Sequence, residues 1–281
     1  LTGWMPLDAA QTPSVLSAVD GVAQRDDGWE TDYWSALNGA RQALATAVSA
    51  RSTPSCAAVV WFSDGELWFN PVPKGDARKG FAPDLVIDGQ GAADRARDLA
   101  QNDLCRDGGL ADQLRTSDVL TFGIGLDGPG VPPGGFDLME SIVTGTAPSG
   151  QTCGTAVSPV PGAFFRASDI DGLLLAFDRL GTPGQPPIEQ TKGVCQTALC
   201  PDQGHRVVLD ASTPQATFLA SSDVAAAVVS VQTPTGTVVD IPRGAGTLDA
   251  DGATLTYSWP SDRTVSIRLD STGSASWKGL W

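Results

Sequence analysis

The chain has 281 residues, a length that suits two domains or one large one. Apolar residues make up 41% and charged residues 18%, an ordinary globular balance with enough apolar material for a core. With 18 basic against 32 acidic residues the net charge is −14, which works against nucleic acid and against anionic membrane surfaces as partners. No run reaches the ~18 consecutive apolar residues of a membrane span; Val224–Val229 and Leu173–Phe177 come nearest, so the chain reads as soluble. It opens Leu1-Thr2-Gly3-Trp4, with no initiator methionine, basic region or apolar leader, and ends Trp277-Lys278-Gly279-Leu280-Trp281. No signal peptide is visible, and both ends read as the boundaries of a fragment.

Along the first 180 residues helical patterns alternate with short apolar runs. Thr12-Pro13 reads as N-cap and first residue of a helix carrying Val15, Leu16, Val19 and Val22 at helical spacing. A second helix is expected from about Tyr33 to Ser49, with Trp34, Leu37, Leu44 and Val48 on one face. Ala57–Phe62 is a continuous apolar run, the pattern of a parallel strand covered on both faces. Residues 70–90, rich in Pro, Gly and Asp, read as a long loop. Helices follow at about 91–104 and 109–115, a strand at Val119–Phe122 and a short helix at Phe136–Val143. A third strand at Ala163–Phe165 leads into a helix at Ile170–Leu180. Strands alternating with helices imply a parallel sheet layered with helices.

After residue 180 the pattern changes. Residues 181–192 are a Pro/Gly linker by composition, and beyond them short β-rich runs replace helices. The runs are Arg206–Leu209, Ala216–Leu219, Ala227–Gln232, Thr237–Ile241, Thr254–Trp259 and Thr264–Leu269. That spacing implies a small sandwich over residues 193–281. Of the five cysteines, Cys195 and Cys200 would close a small loop and Cys105 and Cys153 a longer one. Cys56 is left as a buried thiol or one whose partner is missing. Disulfides place a protein outside the cytosol.

The segment with most chemistry is Ala57–Glu66, an apolar strand running into Ser63-Asp64-Gly65-Glu66. Ligands of open α/β sheets bind at the carboxyl ends of strands, where Asp64 emerges. Upstream, Glu30-Thr31-Asp32 lies just before the helix from Tyr33. A hydroxyl and a carboxylate from adjacent loops are hard oxygen donors of the kind Mg²⁺ takes. Each also has a plainer reading: Asp-Gly after a strand is a common turn, and Thr31 or Asp32 can cap the helix.

Thr31-Asp32-Tyr33-Trp34-Ser35-Ala36-Leu37 followed by Val59-Val60-Trp61-Phe62-Ser63-Asp64-Gly65-Glu66 resembles the von Willebrand factor type A (vWA) domain. Thr121-Phe122-Gly123-Ile124-Gly125 is similar to that family's strand ending in Gly-x-Gly, and Ala163–Leu180 to its last strand and helix. The resemblance covers about residues 1–180 and is nearest to secreted actinobacterial members with a β-rich domain behind the A domain. It implies a Rossmann-like three-layer αβα domain at 1–180, with its first strand and helix missing, followed by a small immunoglobulin-like β-sandwich. It also implies a metal-ion-dependent adhesion site for Mg²⁺ or Mn²⁺, with Thr31 as second-loop ligand and Asp64 as third-loop ligand. A partner protein would complete the metal's coordination with an acidic side chain. The Asp-x-Ser-x-Ser loop that the family places first is not found before Thr31, and Tyr33 stands where many members have a small hydroxyl residue, so Mg²⁺ or Mn²⁺ binding by Thr31 and Asp64 alone is expected to be weak or absent in this chain.

Three other motifs are set aside. Asp270-Ser271-Thr272-Gly273-Ser274 has the form Asp-x-Thr-x-Ser but follows a β-run with no helix behind it, and reads as a turn. Gly123-Ile124-Gly125-Leu126-Asp127-Gly128 matches a dinucleotide fingerprint, yet Pro129, Pro132 and Pro133 leave no helix N-terminus for a pyrophosphate. His205, the single histidine, sits at the entry to a β-run, and Gly-x-Ser-x-Gly occurs nowhere. The expectation is a non-enzymatic recognition or adhesion protein, secreted or on the cell surface, with no nucleic acid partner and no membrane contact of its own. The alternative is a structural cell-envelope module with a vestigial or truncated metal site.

Overall fold

The computed structural model of the chain describes residues 10–24, 30–50, 57–72, 78–117, 119–128, 131–156, 162–180 and 204–281. Cys56, Cys195, Cys200 and the linker expected at 181–192 lie outside the described residues. The chain divides into two compact units, Leu1–Ser168 and Asp169–Trp281.

The first unit opens with α1 (Thr12–Ala23), which is capped one residue earlier than expected: Gln11 is the N-cap, and its side chain makes no capping bond. Its stripe Leu16, Val19 and Val22 has the expected spacing but is exposed. α2 (Tyr33–Ser49) has the expected limits. Asp32 caps it, accepting from the Ser35 amide at 2.9 Å and from the Ser35 hydroxyl at 2.7 Å. Tyr33, Leu37 and Leu44 form its buried stripe, whereas Val48 is exposed.

Three parallel strands follow, β1 (Ala57–Ser63), β2 (Val119–Leu126) and β3 (Ala163–Ala167), in the order β1-β2-β3. The register aligns Ser63 with Gly125 and Gly125 with Arg166, so the carboxyl ends of the three strands share one rim. Helices α3 (Gln90–Cys105), α4 (Leu110–Thr116) and α5 (Asp137–Thr144) complete the core, with Ala93, Ala96, Ala100 and Leu104 presenting a small-residue face of α3.

One expectation about the sheet is corrected here. β1 is not covered on both faces: burial alternates along it, and Val60 and Phe62 are 49% and 56% exposed. Val59 and Trp61 face the core instead, with Tyr33 edge-on to Trp61 at 4.5 Å. An apolar run of this length does not distinguish a strand buried on two faces from one buried on one.

Cys105 and Cys153 are joined in a disulfide, the pairing expected for the longer loop. Beside it Asp112, almost fully buried, accepts from the amides of Gly108, Thr155 and Ala156 at 2.8–3.0 Å. Arg115, paired with Asp112 at 3.4 Å, donates to the carbonyls of Cys153 and Ile142 at 2.8 Å. Gly154 has φ +74°, and a Cβ there would stand 2.3 Å from the Asp112 carboxylate, so the loop closes this tightly only around glycine.

The second unit begins before the change of sequence pattern at 180. α6 (Ile170–Leu180) belongs to it, and Asp171 accepts from the hydroxyls of Ser261 and Thr264. A four-stranded antiparallel sheet has the order β5-β10-β9-β8, where β5 is Gln215–Ser221, β8 Ala245–Ala250, β9 Ala253–Ser258 and β10 Thr264–Ser271. Two short pairs accompany it: β6 (Ser230–Gln232) with β7 (Val238–Asp240), and β4 (Val208–Leu209) with β11 (Gly279–Leu280). The chain is therefore mixed α/β with a parallel three-stranded sheet and separate antiparallel sheets. Leu255, Val265, Ile267, Leu269, Trp277 and Trp281 fill the second core.

Candidate functional site at the carboxyl edge of the parallel sheet

The backbone of Thr31 is fixed by a two-bond bridge to Trp68, its amide donating to the Trp68 carbonyl at 3.0 Å and its carbonyl accepting from Trp68 at 3.2 Å. This bridge joins the segment before α2 to the segment after β1. It leaves the Thr31 hydroxyl 3.5 Å from the point a Cβ on Gly65 would occupy. Thr31 therefore abuts the turn that carries Asp64, although 33 positions separate the two in sequence.

That turn is held from within. Ser63 donates its hydroxyl to the Gly65 carbonyl at 3.0 Å, and the same hydroxyl lies 3.3 Å from the Gly65 amide. Tyr33, buried at the first turn of α2, also donates to the Gly65 carbonyl, at 2.5 Å. Burial pushes the Tyr33 phenol well above its usual range, and the charges of Glu66 and Asp64 push it the same way. Asp64 and Glu66 are exposed side chains.

The other acids of the Thr31 segment are already engaged. Lys79 ion-pairs with Glu30 and stands 3.6 Å from Asp32, with all three side chains largely buried. Lys79 also lies over the Phe69 ring at 5.4 Å. Glu30 and Asp32 therefore spend their charge on an internal ammonium.

Farther along the rim, Phe136 packs directly on Gly125, where a Cβ would meet the ring at 2.8 Å. Arg166 lies over the Phe136 ring at 5.6 Å and 3.8–3.9 Å from Asp127 and Asp137. Glu66 reaches toward the same turn, its Oε1 3.2 Å from the position of a Cβ on Gly135.

The donors suit a hard cation. Thr31 brings a neutral hydroxyl and Asp64 an exposed carboxylate, and Mg²⁺ binds through one or two carboxylates while keeping several waters. Among the described residues no group of three or more His, Cys, Asp or Glu is arranged to hold a metal ion. An ion at this rim would thus take Thr31 and Asp64 from the protein and water elsewhere.

Tyr33, Ser63 and Lys79 shape this site: Tyr33 and Ser63 lie within the quoted motifs but were given no role there, and Lys79 was not singled out, since it arrives from a Pro- and Gly-rich loop. The motifs set aside earlier are placed as follows. Asp270 accepts a bidentate pair from Arg268 within β10, Gly123 and Gly125 lie inside β2, and His205 is exposed ahead of β4.

No protein-family model matches this chain, and neither curated proteins nor solved structures provide a match to it.

Proposed function

We propose that this chain is a non-enzymatic recognition or adhesion protein, secreted or on the cell surface, of the vWA kind with a β-sandwich domain behind it. Its first unit would hold a Mg²⁺ or Mn²⁺ ion through Thr31 and Asp64 and would bind a protein ligand that offers an acidic side chain. The single observation carrying this reading is the Thr31–Trp68 bridge, which seats a hydroxyl against the Asp64-Gly65 turn at the carboxyl end of a parallel strand. A cation held by one neutral oxygen and one carboxylate keeps most of its charge, and that residual charge attracts a further anion. The metal supplies this electrophilicity; the chain's part is to place the two oxygens and to keep Lys79 occupied with Glu30 and Asp32. With a net charge of −14, an acidic partner gains from the ion what the rest of the surface opposes. The Cys105–Cys153 disulfide is compatible with an oxidising compartment, and no helix among the described residues is long and apolar enough to cross a membrane.

Titration calorimetry with MgCl₂ or MnCl₂ tests the proposal. The chain extended upstream is expected to give a saturable heat that Asp64→Ala abolishes and Thr31→Val weakens, and the 281-residue chain a weak one at most. Equal heats from the extended chain with and without Asp64→Ala would remove Asp64 from the site. A second reading, a structural cell-envelope module with a vestigial site, is favoured by the donor count, since among the described residues no group of three or more His, Cys, Asp or Glu is arranged to hold a metal. Absence of any metal heat from the extended chain would select it.

A further inference from the structure

The amine and two acids that flank Thr31 are built unlike a surface ion pair. Lys79, Glu30 and Asp32 have side chains only 12–16% exposed, and two carboxylates face a single ammonium. Lys79 Nζ touches Glu30 Oε2 and stands 3.6 Å from Asp32 Oδ2. One side of the ammonium meets the Phe69 ring, 5.4 Å away, rather than water.

Both sides of this contact are held in place by their own backbones. Thr31, between the two acids, is pinned to Trp68 by two backbone hydrogen bonds. Asp32 has both oxygens engaged by Ser35, one by its amide and one by its hydroxyl. Opposite them, the Lys79 carbonyl accepts from the Ala82 amide at 3.0 Å, and Gly80 packs on the Trp34 ring, where a Cβ would stand at 2.9 Å.

We propose that Lys79 and Glu30 condense into an intramolecular amide, a modification this chain carries out on itself. Asp32 takes a proton from the ammonium, and the nitrogen lone pair thus uncovered forms a bond to Glu30 Cδ. The bond from Cδ to one carboxylate oxygen breaks, and its electron pair leaves on that oxygen. Two of the three ammonium protons follow through Asp32, so the oxygen departs as water and the third proton stays on the amide nitrogen. An ammonium and a carboxylate give an amide and water, with charge conserved and no oxidant or other reagent consumed. In dilute solution this condensation is unfavourable. Two groups fixed against each other react as though at roughly 10⁵–10⁸ M. The product also replaces a buried ion pair, which must be desolvated, by a neutral group whose N–H faces the Asp32 carboxylate. Glu30 is the acyl partner because Asp32 is occupied as the cap of α2.

The amide would tie the segment before α2 to a loop 49 positions later. Unlike the Cys105–Cys153 disulfide, it would survive a reductant. It stands whether or not Thr31 and Asp64 hold an ion.

Intact-mass spectrometry of the reduced, denatured 281-residue chain is expected to give a mass about 18 Da below that of the sequence, the loss of one water. Trypsin should leave residues 26–41 and 79–95 joined in one branched peptide. Lys79→Arg and Glu30→Ala are expected at their full sequence masses. Asp32→Ala, which removes the proton carrier, should form the amide about 100-fold more slowly, so freshly purified chain is mostly at full mass. A wild type at full sequence mass would overturn the proposal. So would a loss of water carried by an unbranched peptide, as a succinimide at an Asp-Gly step would give, or one that persists in Lys79→Arg.

Discussion

In the first unit the buried carboxylate of Asp112 is held by backbone amides and by Arg115, whereas in the second Asp171, Asp210 and Asp251 are held chiefly by serine and threonine hydroxyls. The contrast follows from topology. Parallel strands joined by helices leave long crossovers whose loops need anchoring from a distance, and a charged group that gathers several amides does this well. The antiparallel sheet is joined by local turns, and there short hydroxyls bridge neighbouring segments while large aromatics set the packing. Trp277 donates to the carbonyls of both Asp210 and Thr213 at 2.9 Å, and Trp281 donates to the Trp277 carbonyl at 2.8 Å. One unit is pinned by charge and a disulfide, the other by indoles near its C-terminal strand.

The largest single effect is expected in the second unit. Trp277→Ala removes a fully buried indole and orphans two carbonyls, at a cost of about 5 kcal/mol. Hydrogen exchange followed separately over residues 57–167 and 204–281 should show the loss confined to the latter range. Next comes the disulfide, which closes a loop of 48 residues in the first unit. Chain-entropy arguments give it about 4 kcal/mol, so Cys105→Ser with Cys153→Ser should lower protection over residues 57–167 and leave 204–281 unchanged. Asp112→Asn is expected to cost about 3 kcal/mol, because Arg115 is then left as a buried charge without its counter-ion. A loss shared equally by both ranges in any of these variants would break the contrast.

Acid sharpens it further. Burial alone would raise the Asp112 carboxyl, but the Thr155, Ala156 and Gly108 amides and the Thr155 hydroxyl outweigh it and hold it below the usual range. In Asp171 the Ser261 and Thr264 hydroxyls do the same. Both groups are depressed in the folded state, so each contributes stability above the unfolded carboxylate value near pH 4. That contribution is lost as pH falls through the folded value. Acid denaturation curves should therefore show both units weakening below about pH 4. Asp112→Asn should flatten the response of the first alone.

Some of this was legible in the residues. The limits of α2 follow from Asp32 as a cap and from apolar residues at helical spacing without an interior proline, and the helix at Ile170–Leu180 and the Cys105–Cys153 pairing were equally readable. β8 was missed because Ala245–Ala250 is an edge strand with Leu248 as its one large apolar side chain. The exposed face of β1 was hidden by its own hydrophobicity, since valine and phenylalanine at alternate positions look the same whether or not a layer covers them. In the candidate site, Thr31 and Asp64 were proposed from spacing and resemblance, and the structure sets Thr31 against the turn that carries Asp64. The lysine that neutralises Glu30 and Asp32 was not, because a contact across 49 positions leaves no local pattern. The division after Ser168 was unreadable for a similar reason, as α6 is tied to the second unit by contacts distant in sequence, Asp171 bonding to residues 90 and 93 positions away among them.

Paramagnetic broadening by Mn²⁺ addresses most directly whether Thr31 and Asp64 share one cation. With substoichiometric Mn²⁺ added to the isotopically labelled chain, the amide signals of Thr31, Asp64 and Gly65 should vanish first. Those of Asp171 and Asp251, aspartates of the other unit, should persist. Uniform broadening, or broadening centred anywhere other than the Thr31 and Asp64 turns, would contradict the assignment.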